Sequence, residues 1–287
     1  MRRQDFRWPG AGRVTSENTN SDSWSLNDVP LDCVEIGRVR SQEELFLLLA
    51  GASFVETGSD LYTRNLVEQF HGDAEVSSWL TNHWEPEELQ HGRALRAYVN
   101  RVWPEFDWQA AFAAFFADYS RGCTAEELEP TRCLEMAARC VVEMGTATYY
   151  RAIHALSDEP VLGRLVAFIQ RDEVRHYKHF YRYFNQYNDI EHNNRATVLG
   201  ALARRLREIL QSYAECGLWY PFHARHPHAS RKGREFRRAV ARTTALVRRH
   251  YPAPMAIKMF LKPLALPPAL NRVSYALAKL AQRLILR

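Results

Sequence analysis

The chain has 287 residues, with 46% hydrophobic and 25% charged residues, which suits a folded globular protein and excludes wholesale disorder. Gly and Pro number 13 each and Cys only 5, so collagen-like and disulfide-stapled classes are excluded as well. The formal charge of +5 is unevenly spread: residues 217–287 hold 15 Lys/Arg against the single acid Glu235, leaving the other 216 residues net acidic.

Residues 1–40 are rich in Ser, Asn, Asp and Arg and lack periodicity, which predicts a flexible N-terminal lead-in. No apolar stretch follows Met1-Arg2-Arg3, and no uncharged run approaches the roughly 18 residues of a spanning helix. The five cysteines form no C-x-x-C pair. A reducing, cytoplasmic location is therefore expected, with the inner face of the membrane as a peripheral alternative.

From residue 41 to 216 the hydrophobic pattern is helical almost throughout, and hairpin signals are missing. Helices are predicted over 41–71, 74–102, 106–120, 131–156, 159–187 and 195–216, joined by short connections that favour an antiparallel bundle. Residues 217–287 read as a basic extension, broken by prolines between 252 and 268. Its last part, 269–287, places Leu270, Val273, Leu277, Leu280 and Leu284 on one helical face among Arg and Lys. Such a segment could be a solvated face, could lie on an anionic membrane surface, or could meet an acidic protein. Nucleic acid is not expected, because no recognition motif accompanies the charge.

Two segments contain Glu-x-x-His: Glu88…His91 in WEPEELQHG and Glu173…His176 in RDEVRHYKH. Three residues apart on a helix, each pair offers an oxygen and a nitrogen to one centre. Two further carboxylates stand isolated in apolar helical stretches, Glu56 in LFLLLAGASFVETGS and Glu143 in CVVEMGTATYY. Burying such a group as an ion is costly unless it is paired or binds metal. In chain order the pattern is Glu, Glu-x-x-His, Glu, Glu-x-x-His, one element per helix. A four-helix bundle can turn all six side chains inward to hold two metal ions. An oxygen-rich shell with imidazoles suits iron or manganese.

This pattern resembles the ferritin-like di-iron carboxylate proteins and is most similar to the soluble acyl-carrier-protein desaturases. Their W-x-x-E-E-x-x-H-G motif is matched by Trp84, Glu87, Glu88, His91 and Gly92, their D-E-x-R-H by Asp172, Glu173, Arg175 and His176, and their E-x-x-T by Glu143 and Thr146. The resemblance covers roughly residues 45–190. It implies an all-α, ferritin-like four-helix bundle with extra helices, two iron ions (Fe/Fe, with Mn/Fe as the alternative) and a homodimer. Glu56 and Glu143 would be terminal ligands, Glu88 and Glu173 bridging ligands, and His91 and His176 terminal nitrogens. Asp172 and Arg175 would orient the imidazoles, Thr146 would donate a hydrogen bond at the oxygen-binding face, and Trp84 would sit near the cluster on an electron path.

The activity so implied is oxygen-dependent desaturation of a fatty acyl chain carried by acyl carrier protein or coenzyme A. An external donor such as ferredoxin would supply electrons. Hydroxylation of a lipid or metabolite and non-catalytic iron binding are the alternatives. A third histidine four residues before the last Glu-x-x-His would mark the N-oxygenases, and Ile169 stands there instead. Plainer readings remain open for several residues: Trp84 as a core aromatic, Asp172 and Arg175 as a surface ion pair, Thr146 as a packing residue. Gly58 and Gly145 would serve close helix approach or a substrate channel. His83 and His179 have no partner in the pattern, and His223, His226 and His228 read as a loop cluster. Pro86, two residues before Glu88, predicts a kink or a ligand helix that begins near Trp84.

Overall fold

The computed structural model describes residues 23–210 and 214–268. Every regular element among them is helical. The ordering starts earlier than residue 41: Trp24, Val29 and Val34, which flank two short 3-10 turns, and Val39 of α1 (Ile36–Val39) are buried in the main hydrophobic core. The expected flexible lead-in is therefore corrected for residues 24–40, whose few large apolar side chains cap one flank of the bundle.

Four long helices form the frame: α2 (Glu43–Thr57), α5 (Glu85–Val102), α7 (Arg132–Leu156) and α8 (Pro160–Glu191). Between them run α3 (Ser59–Gln69), α4 (Ala74–Trp79) and α6 (Trp108–Tyr119). Helix α2 is apolar on nearly all sides, with Leu45 through Gly51 all buried, and a helix of that kind needs cover all round. Helices α7 and α8 form an antiparallel hairpin. Thr131 caps α7 by accepting from the Leu134 N–H, and Glu159 caps α8 by accepting from the N–H groups of Val161 and Leu162, with Pro160 opening its first turn.

The expected helix 41–71 breaks at Gly58. There the Gly58 N–H donates to the Phe54 and Val55 carbonyls, each at 3.1 Å, and the Ser59 hydroxyl donates to the Glu56 carbonyl at 2.8 Å. The stretch 74–102 is continuous, but a π-helical turn, Leu80–Trp84, precedes α5, and the Glu85 N–H reaches back five residues to the Leu80 carbonyl. This widened turn accommodates Pro86, which has no N–H to give and would crowd a regular turn. The ligand-bearing helix accordingly starts at Glu85, next to Trp84.

The boundary expected at 216/217 falls inside a helix. After α9 (Arg195–Glu208) come α10 (Ala214–Arg225), α11 (Arg234–His250) and α12 (Ala253–Leu261), so the stretch 217–261 is mostly helical and packed on the bundle. Phe222, Phe236 and Ala239 join the core that includes α2, while Ala256 and Met259 join the second core, with α7 and α8. Arg242 of α11 pairs with Glu43 and Glu44 at 2.9 and 2.6 Å. The basic composition of this region hid its buried face. The amphipathic stretch 269–287 lies outside the described residues.

Helix α10 crosses α2 at two glycines. A Cβ on Gly51 would stand 2.7 Å from the carbonyl oxygen of Gly217, which is backbone and has nowhere to go. Gly51→Ala is expected to destabilise the protein by about 1–3 kcal/mol, lowering its melting temperature by several degrees in thermal unfolding, at roughly 2–4 °C per kcal/mol. An unchanged melting temperature would mean that α10 does not press on α2 as described.

Candidate metal centre

Each frame helix delivers its part of the centre. Glu56 lies in the last turn of α2, Glu143 in the middle of α7, and the pairs Glu88/His91 and Glu173/His176 project from α5 and α8. All six side chains are buried. Gly92 lets α2 and α5 approach closely: a Cβ there would lie 2.7 Å from the backbone nitrogen of Thr57, the neighbour of Glu56.

The structure brings the six together as two overlapping groups. In the first, one ligand atom each from Glu56, Glu88, His91 and Glu173 lie within 4.8 Å of one another; in the second, the same holds for Glu88, Glu143, Glu173 and His176. Glu88 and Glu173 belong to both. His91 Nδ1 stands 3.2 Å from Glu173 Oε1 and 3.8 Å from Glu56 Oε2, while His176 Nδ1 stands 2.9 Å from Glu88 Oε1 and 3.4 Å from Glu143 Oε2.

A second ring of groups fixes these side chains. His91 Nε2 meets Asp172 at 3.2 Å, and Asp172 also accepts from the Trp24 indole at 2.6 Å. His176 Nε2 meets Glu87 at 2.7 Å. Arg175 contacts neither imidazole directly. Instead its guanidinium joins the two orienting carboxylates, 2.7 Å from Glu87 and 2.9 Å from Asp172. The Trp84 indole donates to Glu143 at 3.2 Å, and Thr146 donates to Glu173 at 2.6 Å. Tyr150 donates to Glu56.

Three of these contacts were not anticipated from the sequence. Glu87 stands beside a ligand in the quoted motif, and the Glu87-Glu88 doublet was its signal. Tyr150 lies seven residues after Glu143, on the same face of α7, and could have been found by spacing. Trp24 is 148 residues from Asp172 and had no local signal. Gly145 faces open space, whereas Gly58 touches the Tyr119 ring at ordinary contact distance. His83 is exposed. His179 stacks on Trp79 at 4.9 Å, and burial pushes its pKa down to about 4. The histidines after Pro221 do not converge: His223 stacks on Trp219, and His226 meets Glu43 at 3.0 Å.

Like charges strain the centre. Burial, then the carboxylates of Glu173 and Glu56, hold Glu88 well above the usual carboxylate range. Burial likewise pushes Glu143 up to about 7, against the opposing pull of His176. Burial by itself would lower both imidazoles. The surrounding carboxylates, as acceptors and as negative charges, outweigh it and carry His91 and His176 well above the ordinary histidine value. The interior therefore calls for positive charge.

The donor set fits metal ions. Five inward atoms lack a hydrogen-bond partner: Glu88 Oε1, His91 Nδ1, Glu143 Oε2, Glu173 Oε1 and His176 Nδ1. Both imidazoles present Nδ1 inward while Nε2 faces a carboxylate, the arrangement that fixes a ring as a metal ligand. Hard oxygens with two nitrogens suit iron or manganese.

The chain matches no known family profile. It is 31% identical over 166 residues to the protein named "Putative acyl-[acyl-carrier-protein] desaturase DesA2" of Mycobacterium tuberculosis, in strains CDC 1551 and H37Rv alike. The match takes in 54% of this chain and 59% of the relative, so it spans little more than half of either. This distant likeness to a desaturase agrees with the all-helical, ferritin-like bundle and its buried Glu/His cluster.

Asp172→Asn and Glu87→Gln are each expected to weaken binding of Fe(II) or Mn(II) by about 10–100-fold, measured by competition with a fluorescent chelator. Affinity unchanged in both variants would show that the outer carboxylates do not orient metal ligands.

Proposed function

We propose that this chain is an oxygen-dependent di-iron oxidoreductase that acts on an aliphatic chain, and specifically that it desaturates a carrier-bound fatty acyl group. The observation that carries this reading is the pair of buried four-residue groups sharing Glu88 and Glu173. Their spacing suits Glu56, Glu88, His91, Glu143, Glu173 and His176 as holders of two iron ions, with Glu88 and Glu173 in common. When bound, such a pair supplies the activation of dioxygen and the oxidising power to break unactivated C–H bonds.

The residues of the chain give that chemistry its setting. Glu56, Glu143 and Glu173 are each held by a donor, from Tyr150, Trp84 and Thr146 respectively, which limits their swing when a substrate arrives. All six side chains are buried, which limits the access of water to them. One side is less closed: Val142, Gly145, Thr146 and Tyr149 form a half-buried stripe on α7 at helical spacing, and open space faces Gly145. This stripe supports an approach for a slender apolar substrate, with the Thr146 hydroxyl at its inner end.

The name of the mycobacterial relative favours an acyl chain on acyl carrier protein, with coenzyme A as the other carrier. The cysteine spacing offers no iron–sulfur motif, so electrons would come from a separate donor of the ferredoxin class.

Anaerobic loading with ferrous iron should give two irons per chain. Supplying oxygen, reduced ferredoxin and a saturated acyl carrier substrate should then yield a monounsaturated chain, detected by mass spectrometry. Hydroxylated product would redirect the assignment to an oxygenase, and continued iron deposition without substrate oxidation would redirect it to storage. Gly145→Leu is expected to keep both irons while lowering product formation at least tenfold, because the added side chain fills the open flank. Full turnover by that variant would rule out this approach.

A further inference from the structure

The outward face of α11 has no assigned task. Arg234, Arg237, Arg238, Arg248 and Arg249 are all exposed and form no ion pair among the described residues. At 100° per residue they share one face, opposite the buried Phe236, Ala239 and Thr243. Their span of 15 residues corresponds to about 22 Å of helix. The centre of the face is occupied by the small, exposed Ala241 and Ala245, so nothing bulky stands between the two ends.

We infer that this arginine face docks the protein on an anionic lipid surface. Guanidinium groups bind phosphates through paired hydrogen bonds as well as charge, and a cluster of them at each end of one helix face can meet a plane of headgroups at two places. Arg242, by contrast, is spent on Glu43 and Glu44, which fastens α11 to the body and leaves the row facing outward.

The chain that follows points to lipid over a soluble acidic partner. Helix α12 keeps Met255, Ile257 and Phe260 only partly buried, beside exposed Lys258 and Lys262. Beyond Pro268 the sequence again alternates leucines at helical spacing with Arg272, Lys279, Arg283 and Arg287. A charged row followed by cationic amphipathic sequence supplies both electrostatic and apolar contact, the two signals that stable peripheral attachment requires. No described helix is long and apolar enough to cross a membrane, so the contact is with its surface.

The test is co-sedimentation of the full chain with vesicles of phosphatidylcholine, with and without 30% phosphatidylglycerol. Binding is expected only with the anionic lipid, and it should fall as salt is raised. The variant Arg234→Gln/Arg237→Gln/Arg238→Gln should bind at least about 20-fold more weakly, since each basic residue near such a surface contributes roughly fivefold. A second variant, Arg93→Gln/Arg151→Gln/Arg207→Gln, removes the same charge from exposed sites elsewhere and should bind within about twofold of the parent. Deleting 269–287 should weaken attachment while leaving its preference for anionic lipid intact. Circular dichroism checks that each variant folds. Equal binding by the α11 variant, failure of the parent chain to bind anionic vesicles, or capture of an acidic protein without vesicle binding would each overturn the inference. None of these readouts depends on bound iron, so failure here leaves the oxidase reading untouched.

Discussion

Four carboxylates facing one another inside a helical bundle repel strongly, because the protein interior screens charge far less than water does. The rest of the structure is organised around holding them there. Two imidazoles share the space, each with one nitrogen turned inward and the other against a carboxylate. Protons or divalent cations can neutralise such a nest. The unpartnered inward atoms and the pairing of Glu88 and Glu173 between two groups favour cations.

Preorganisation extends outward in layers. Arg175 joins Asp172 to Glu87, so the supports of the two imidazoles are tied to each other although their ligands come from different helices. Trp24 anchors Asp172 from the N-terminal segment, and Tyr150, Trp84 and Thr146 hold three of the four carboxylates. The C-terminal helices finish the enclosure by covering α2, whose apolar circumference could not face water. On α11 Arg242 grips Glu43 and Glu44 of α2, while Arg234, Arg237, Arg238, Arg248 and Arg249 stay exposed on the outer face.

The fold class was legible because helical periodicity extends through the central sequence and connections are short. The six inward residues were legible for two separate reasons. Glu88/His91 and Glu173/His176 have the spacing of one helix face, and Glu56 and Glu143 stand out as single charges in apolar runs. Contacts between distant segments were not legible. Trp24 meets Asp172 only after the chain has folded, and the resemblance that gives Arg175 an orienting role does not show that it contacts Asp172 and Glu87 and not a ring. The boundary near residue 216 was drawn on a change in charge, yet packing follows the buried face. Phe236 and Ala239 bury well in a helix whose other side is almost wholly basic. Pro86 signalled an irregularity correctly, and the π-helical turn before α5 is its physical form.

The proposed oxidase requires the six side chains to form one pocket for two metal ions. Crystals of the full chain loaded with ferrous iron without oxygen, measured above and below the iron absorption edge, test it most directly. Two anomalous peaks are expected, one beside Glu56 and His91, the other beside Glu143 and His176, with Glu88 and Glu173 between them. Iron bound only outside this pocket, or no iron inside it, would contradict the account.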